Sequence, residues 1–412
     1  MTNNNTTYKS TAIGLIPSDW EVKRLGEIGV FSKGKGILKA QILESGLPCI
    51  RYGEIYTTHH FVIKEFKSYI SEDVANESQE ISKGDILFAG SGETIDDIGK
   101  AVVYIGDYKA YAGGDTIIFK PKKNNSETIS YILEMDSSRK QKRTFGQGNS
   151  VVHIYPSELK KLKIPIPPLP EQQKIASILS TWDSAIDNCK AIIDNLKARN
   201  KGLAQQLLTG KMRLKGYEKS KWVLLPIKKI SKDISNKNSN NKELIVLSCT
   251  KHNGLVPSLE YFGRKIYSDD LTTYKIVSKG QFAYATNHIE EGSIGYQSNY
   301  NEALISPMYT VFQTNEIVND NFLFRVLKST NYIHEYQKRT EGSIDRRGGL
   351  RWDEFSKIKV PVPDLKEQLA IVEILDKATE ELNQYQQKLQ TLQLQKKGLM
   401  QQLLTGKTRV KI

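Results

Sequence analysis

The sequence predicts an α+β protein in which two mixed α/β domains are separated by two long antiparallel coiled-coil helices, the whole arranged as a pseudo-twofold internal repeat. Three observations carry this. Residues 164–213 recur without a gap as 360–409, a constant distance along the chain (360 − 164 = 196), and about 20 of the 50 aligned pairs are identical. Both copies keep one unbroken helical period of apolar residues. Each is preceded by a longer, unlike stretch, 1–163 or 214–359, with enough residues to bury its own core. The expected organisation is a first domain at 1–163, a central repeat at 164–213, a second domain at 214–359 and a C-terminal repeat at 360–412.

Bulk properties narrow the class. With 39% hydrophobic residues, a mean hydropathy of −0.45 and no apolar run near the roughly 18 residues of a membrane span, the chain is expected in the cytoplasm, without a membrane partner. Its polar start, Met1 to Asn5, is no signal peptide. Cys49, Cys189 and Cys249 are too few and too scattered for a disulfide framework, and the six histidines show no metal-ligand spacing, so no metal site is expected. A net charge of +13 favours a polyanionic partner, because Lys and Arg that neutralise phosphates release counterions. Nucleic acid, a ribosome or an anionic membrane surface would all meet that condition.

The first domain reads as short strands between Gly- and Asn-rich turns, for example Ile86-Leu87-Phe88 and Thr116-Ile117-Ile118-Phe119. The second domain echoes it. Ser82-Lys83-Gly84-Asp85 aligns with Ser278-Lys279-Gly280-Gln281 at the same offset of 196, and Trp20 has a counterpart in Trp222, so the two domains read as divergent copies of one fold.

Each repeat opens on a proline-spaced run, 164–168 or 360–363, which lacks backbone donors and belongs at a domain edge. A helix follows. Its apolar positions alternate steps of four and three: Ile175, Leu179, Trp182, Ile186, Cys189, Ile193, Leu196, Asn200, Leu203 and Leu207 in the first copy. In the same phase the second has Ile371, Leu375, Ala378, Leu382, Tyr385, Leu389, Leu392, Lys396, Leu399 and Leu403. That is a coiled-coil seam. Gly210 and Gly406 fit C′ glycines that stop the helices, giving about 38 residues and roughly 57 Å each at the α-helical rise. Asn200 and Lys396 are polar seam residues at equivalent places; they either fix register or mark a tolerated surface kink. A chain running domain, helix, domain, helix buries both seams most simply if the second helix returns antiparallel along the first, which predicts a dumbbell with a pseudo-twofold axis.

Catalytic motifs are incomplete. Phe88-Ala89-Gly90-Ser91-Gly92 matches the cofactor turn of adenine methyltransferases, but the N/D-P-P-Y/F clamp for a flipped base is missing, and a glycine hairpin is the better account. Residues 29–36 are one short of a phosphate-binding loop, and Gly36 stands where a hydroxyl must hold Mg²⁺. Nothing assembles a nucleophile, a base and an orienting group, so a non-catalytic chain is expected.

What remains are basic, amide-rich stretches at matched places before the two proline runs. Arg139, Lys140, Lys142 and Arg143 run into Gln147, Asn149 and Ser150; Lys338 and Arg339 run into Ser343, Arg346 and Arg347. With Lys33 and Lys35, these are the candidate DNA contacts, since Arg reads guanine, Gln and Asn read adenine, and Lys and Ser suit phosphate oxygens. A solvated loop that is basic by chance is the plainer alternative.

With its run Pro-Ile-Pro-Pro-Leu-Pro-Glu-Gln (165–172), the helix end Gly-Leu-Ala-Gln-Gln-Leu-Leu-Thr-Gly-Lys (202–211), their repeats at 361–368 and 398–407, and the opening Ile16-Pro17-Ser18-Asp19-Trp20, the chain resembles a specificity subunit of a type I restriction-modification system. The resemblance implies that the two unlike stretches are target recognition domains. Each would read one half of a bipartite, asymmetric site in double-stranded DNA. It implies also that the helices space the domains and help dock two methyltransferase subunits, which bind S-adenosylmethionine and methylate adenine N6. Restriction subunits would use ATP and Mg²⁺ to translocate and cut DNA. No cofactor would be bound by this chain. The competing readings are a standalone DNA methyltransferase and a coiled-coil scaffold without sequence specificity.

Overall fold

The proline run that opens each repeat is an edge strand. In the computed structural model, which describes residues 7–148, 150–341 and 349–412, Lys163–Ile166 pairs antiparallel with Glu21–Arg24, Pro165 opposite Val22, and Lys359–Val362 pairs with Val223–Pro226, Pro361 opposite Leu224. Both ladders have two strands, so proline's missing donor leaves no central hydrogen bond unmade. Each ladder ties the first residues of a domain to its last, and the chain passes from it directly into a long helix.

The chain divides into two compact units, 1–190 with 387–412, and 191–386. In the first unit a five-stranded sheet runs Gly29–Lys33, Thr116–Pro121, Ile86–Ala89, Ala101–Tyr104, Phe61–Ile63, and a four-stranded sheet runs Ser68–Ile70, Leu47–Ile50, Ala110–Ala112, Gln79–Ile81. The second unit repeats this order. Ser231–Ile234, Tyr309–Thr314, Gln281–Ala285 and Ile294–Tyr296 form one sheet; Gly254–Pro257, Val246–Thr250, Glu302–Ile305 and Lys275–Ser278 form the other. Even the single parallel pair of the four-stranded sheet recurs, Ala110–Ala112 beside Leu47–Ile50 and Glu302–Ile305 beside Val246–Thr250. The Phe61–Ile63 strand is the addition in the first unit.

The turn into the central strand shows why the two domains echo one another. Gly84 and Gly280 adopt φ of 90° and 87°, a region open to glycine. One residue later a side-chain oxygen closes the turn: Asp85 Oδ2 accepts from the Ser82 N–H at 2.9 Å, and Gln281 Oε1 accepts from the Ser278 N–H at 2.8 Å. A carboxylate and a carboxamide serve equally here because only an acceptor is required.

The long helices are Leu169–Leu208 and Leu365–Leu403. Gly210 and Gly406 both lie at φ 69°, the left-handed C′ geometry expected of them. Along the first seam Ile175, Leu179, Ile186, Cys189, Ile193, Leu196 and Leu207 are buried, with Trp182, Asn200 and Leu203 half-buried; along the second Ile371, Leu375, Ala378, Lys396 and Leu403 are buried, with Leu382, Tyr385, Leu389, Leu392 and Leu399 half-buried.

Within each unit the helical segments run antiparallel. In the first, Glu171 meets Arg409 and Asp183 meets Lys396; in the second, Arg213 meets Glu367 and Asn200 meets the Ala378 carbonyl. Leu403 and Leu404 accordingly join the core of Trp20, Ile175 and Leu179, whereas Leu207 and Leu208 join that of Ile371, Leu375 and Phe282. Each repeat thus ends its helix in the core that the other repeat begins, the reciprocal pattern of an isologous contact.

The Glu-Gln pair at the start of both helices has separate tasks. Gln172 accepts from the Asn125 N–H at 2.8 Å and donates to Pro167 O at 2.8 Å; Gln368 accepts from the Asn319 N–H at 2.7 Å and donates to Pro363 O at 2.8 Å. Asn125 and Asn319 are themselves N-caps of the domain helices Ser126–Leu133 and Asp320–Leu327, so the glutamine locks its domain onto the long helix. Glu171 and Glu367, both nearly inaccessible, each accept from a tryptophan, Trp20 Nε1 at 2.9 Å and Trp222 Nε1 at 3.1 Å, and from the arginine ending the other repeat.

Candidate nucleic-acid interface

One surface in each domain is built the same way. In the first, the central strand Ile86–Ala89 continues through Gly90 into Ser91–Gly92, which pairs with Val152–His153; the Ile154 N–H donates to Gly90 O at 2.9 Å. In the second, the Leu350 N–H donates to Thr286 O, also at 2.9 Å. Donors and acceptors are both 196 apart (350 − 154; 286 − 90). The end of the central strand is therefore pinned in both domains to the segment that leads into the proline run.

This corrects the reading of residues 88–92. They form no hairpin but a strand extension, and their glycines answer to crowding: a Cβ on Gly90 would stand 2.8 Å from Asp115 O, and one on Gly92 2.7 Å from Tyr56 Oη.

Around the pinned segment of the first domain lie Lys33, Ser91, Gln147, Ser150, His153 and Tyr155. Ser91 Oγ is 2.9 Å from His153 Nδ1, the His153 ring stacks on Tyr155 at 6.5 Å and 24°, and the Lys33 ammonium sits 5.8 Å from the Tyr155 ring centre. Lys33, Lys35, Gln147, Ser150 and Tyr155 are exposed. Aromatic faces with a nearby ammonium and free amide or hydroxyl groups suit base edges and phosphates. Sequence reasoning missed Ser91, His153 and Tyr155; the detectable signal was an aromatic residue and a histidine immediately after the amide-rich run.

The other predicted residues divide. Arg143 is about half exposed and pairs with Asp96 at 3.1 Å; Arg139 pairs with Glu134 at 3.1 Å. Lys142 must be reassigned. Only 2% exposed, its ammonium donates to Gly99 O at 2.8 Å and Glu134 at 2.9 Å, so it holds the domain together and offers nothing to a surface ligand. Burial pushes the Glu134 carboxyl up, and the adjoining Lys142 charge and hydrogen bond, the Ala101 N–H and Arg139 more than reverse it, leaving it below the ordinary carboxylate value. In the second domain Lys338 is exposed at the end of the helix Thr330–Glu341, while Arg339 is held by Glu335 at 2.8 Å. Asn149, Ser343, Arg346 and Arg347 lie outside the described residues.

Beside the second pinned segment, Asn287 and Arg351 are exposed, and a cleft of about 280 Å³ lined by Tyr267, Tyr274, Asn287 and Met308 opens there. Among the described residues no helix is long and apolar enough to cross a membrane.

Two domains of one topology, each with exposed polar and basic side chains beside the same pinned segment and each followed by a long helix, fit a DNA-reading protein with two dissimilar heads. The family model described as "Type I restriction modification DNA specificity domain" matches residues 17–198 and again 224–394, and the chain belongs to that family. It is 28% identical to the putative type I restriction enzyme MjaX specificity subunit of Methanocaldococcus jannaschii over 98% of this chain and 97% of that one. It is 26% identical to the MjaVIII specificity subunit of the same organism over 96% and 94%. Among solved structures, the type I restriction-modification S subunit from M. genitalium shares the fold at a TM-score of 0.56 and 16% identity, covering 98% of both chains. The HsdS subunit from Thermoanaerobacter tengcongensis does so at 0.52 and 14%, covering 95% of this chain and 98% of that one.

Proposed function

We propose that this specificity chain is the non-catalytic reader of a cytoplasmic complex in which two methyltransferase subunits modify adenine N6, one on each strand, and restriction subunits join through them. S-adenosylmethionine would be bound by the methyltransferase subunits, and ATP and Mg²⁺ by the restriction subunits. The paired helices would set the unread spacer between the half-sites. The observation that supports this reading best is the recurrence of one pinned surface with different side chains. Shared backbone topology lets both heads approach DNA alike, while unlike side chains make the site asymmetric.

Lys33, Lys35, Gln147 and Ser150 in the first head, and Lys338 in the second, are assigned to DNA contact on their exposure. Arg143 and Arg339 would exchange partly exposed ion pairs for phosphate, a small loss because exposed pairs contribute only about 0–1 kcal/mol, whereas Arg139 would have to leave the buried Glu134 carboxylate, which Lys142 still neutralises.

Exchange of residues 1–163 for the corresponding domain of a relative, followed by mapping of methylated adenines in a host carrying the methyltransferase subunit, tests the reading. One half of the target should change and the other persist. A change in both halves, or methyl transfer by the purified chain alone, would overturn it.

A further inference from the structure

The pinned segments carry matched positions whose side chains differ completely between the heads. Position 91 corresponds to 287, 153 to 349 and 155 to 351, each 196 apart (287 − 91; 349 − 153; 351 − 155). The first head presents His153 and Tyr155, with Ser91, only 2% exposed, held against the imidazole; the second has Gly349 at the matched place and presents Asn287 and Arg351. We infer that His153 and Tyr155 in the first head, with Ser91 positioning the imidazole, and Asn287 and Arg351 in the second are the principal base-discriminating residues, an assignment that rests on the DNA-reading function proposed above.

Geometry supports discrimination over general attraction. In the first head the imidazole is fixed twice, by Ser91 Oγ on Nδ1 and by stacking on Tyr155, so Nε2 is left as one directed polar group. In the second head no such ring could exist. Gly349 has φ 61°, and a Cβ there would lie 2.4 Å from Thr286 O and 2.5 Å from Asn287 Oδ1. The place a side chain at 349 would need is taken up by the Thr286 carbonyl and the Asn287 carboxamide, with the Arg351 fork two residues beyond the glycine. A carboxamide addresses adenine N6 and N7, and a guanidinium addresses guanine O6 and N7, each bidentately. The second half-site should therefore depend on purines at the positions these two residues meet. A single imidazole nitrogen beside a phenol makes the first head read by individual hydrogen bonds.

The test uses the full chain assembled with its methyltransferase subunit in a host without other adenine methylation. Methylated adenines are mapped for wild type, His153→Ala, Asn287→Ala and Arg351→Ala, with the exchange of residues 1–163 run in parallel. Each substitution should admit additional bases at one position of one half-site, lowering discrimination there by roughly 5- to 150-fold, with the opposite half unchanged. Overturning results are an unchanged motif in all three variants, or loss of all methylation by assembled complexes, which would make the residues positional. Loss of assembly would assign them to packing and overturn the inference equally. If the variants leave the motif unchanged while the domain exchange alters one half, the bipartite reading survives without this assignment; if the exchange alters both halves, the reading itself fails.

Discussion

The Arg409 guanidinium lies across the Glu171 carboxylate, 238 positions earlier in the chain, with Nε at 2.7 Å and Nη2 at 2.8 Å, and its other edge grips Asp19 at 2.7 and 2.9 Å. Its repeat partner, Arg213, holds Glu367 with both contacts at 3.0 Å. The glutamates that begin the two helices are thus neutralised by the arginines that follow the helices of the opposite repeat.

The surroundings of these two pairs differ, and so should the consequences of breaking them. Besides Arg213, Glu367 accepts from Ser220 Oγ at 2.6 Å and Trp222 Nε1; besides Arg409, Glu171 accepts from Trp20 Nε1. Arg409→Ala should cost about 3–5 kcal/mol, the usual result of stranding a buried charge, and Arg213→Ala less. Urea unfolding of the two variants measures the order, and Glu171→Gln should recover part of the loss in the Arg409→Ala background.

Lys396 is 4% exposed and is no surface kink. Its ammonium meets the Asp183 carboxylate, which also accepts from Tyr131 Oη at 2.5 Å, and lies 3.9 Å from the Phe61 ring centre and 5.0 Å from that of Tyr131. Burial pushes this ammonium below the ordinary lysine value, and Asp183 opposes the shift. Asp183→Asn should destabilise by about 3–5 kcal/mol, whereas Lys396→Met combined with Asp183→Asn should cost far less, because it is the unpaired buried charge that is expensive. A double-mutant cycle on the unfolding midpoint decides this.

His59 supplies a pH dependence. It is buried, and burial, followed by the Lys100 charge, pushes its pKa from 6.5 down to about 4. The unfolded chain then binds a proton that the folded chain refuses, so stability is full above about pH 6.5 and declines as the pH falls toward 4. His59→Leu should flatten this part of the melting-temperature profile between pH 7 and 4.5 relative to wild type; parallel profiles would refute the assignment.

The reciprocal pairs also constrain any test of helix length. Glu171 to Arg213 and Glu367 to Arg409 span equal stretches (213 − 171 = 42; 409 − 367 = 42). Four residues added to one helix alone should misalign the clasps and lower the melting temperature. The same insertion at matched places in both helices lengthens each by about 6 Å, and methylation mapping should show the unread spacer longer by one or two base pairs at about 3.4 Å each.

Much of this was legible in the residues. The doubled seam gave both helices within a few residues, because a period of alternating threes and fours survives any tertiary context that buries one face. Gly84 and Gly280 marked equivalent turns, since few other residues tolerate their backbone angles. Lys142 was misjudged for an equally physical reason: in sequence it is one cation among four, and only Glu134, brought close by folding, gives its ammonium a place inside the domain. The Ser91–His153 contact was overlooked because these residues, separated by 62 positions, become neighbours through a two-residue ladder with no periodic signature.

By itself, then, the sequence determined that the chain carries two copies of one helix, two diverged domains and a surplus of positive charge, all properties encoded by local spacing and composition. Tertiary structure alone decided which helix end enters which core, which cations remain at the surface, and which distant side chains meet at the end of each central strand. Those outcomes depend on desolvation and on pairings far apart along the chain, and neither leaves a mark on the order of neighbouring residues.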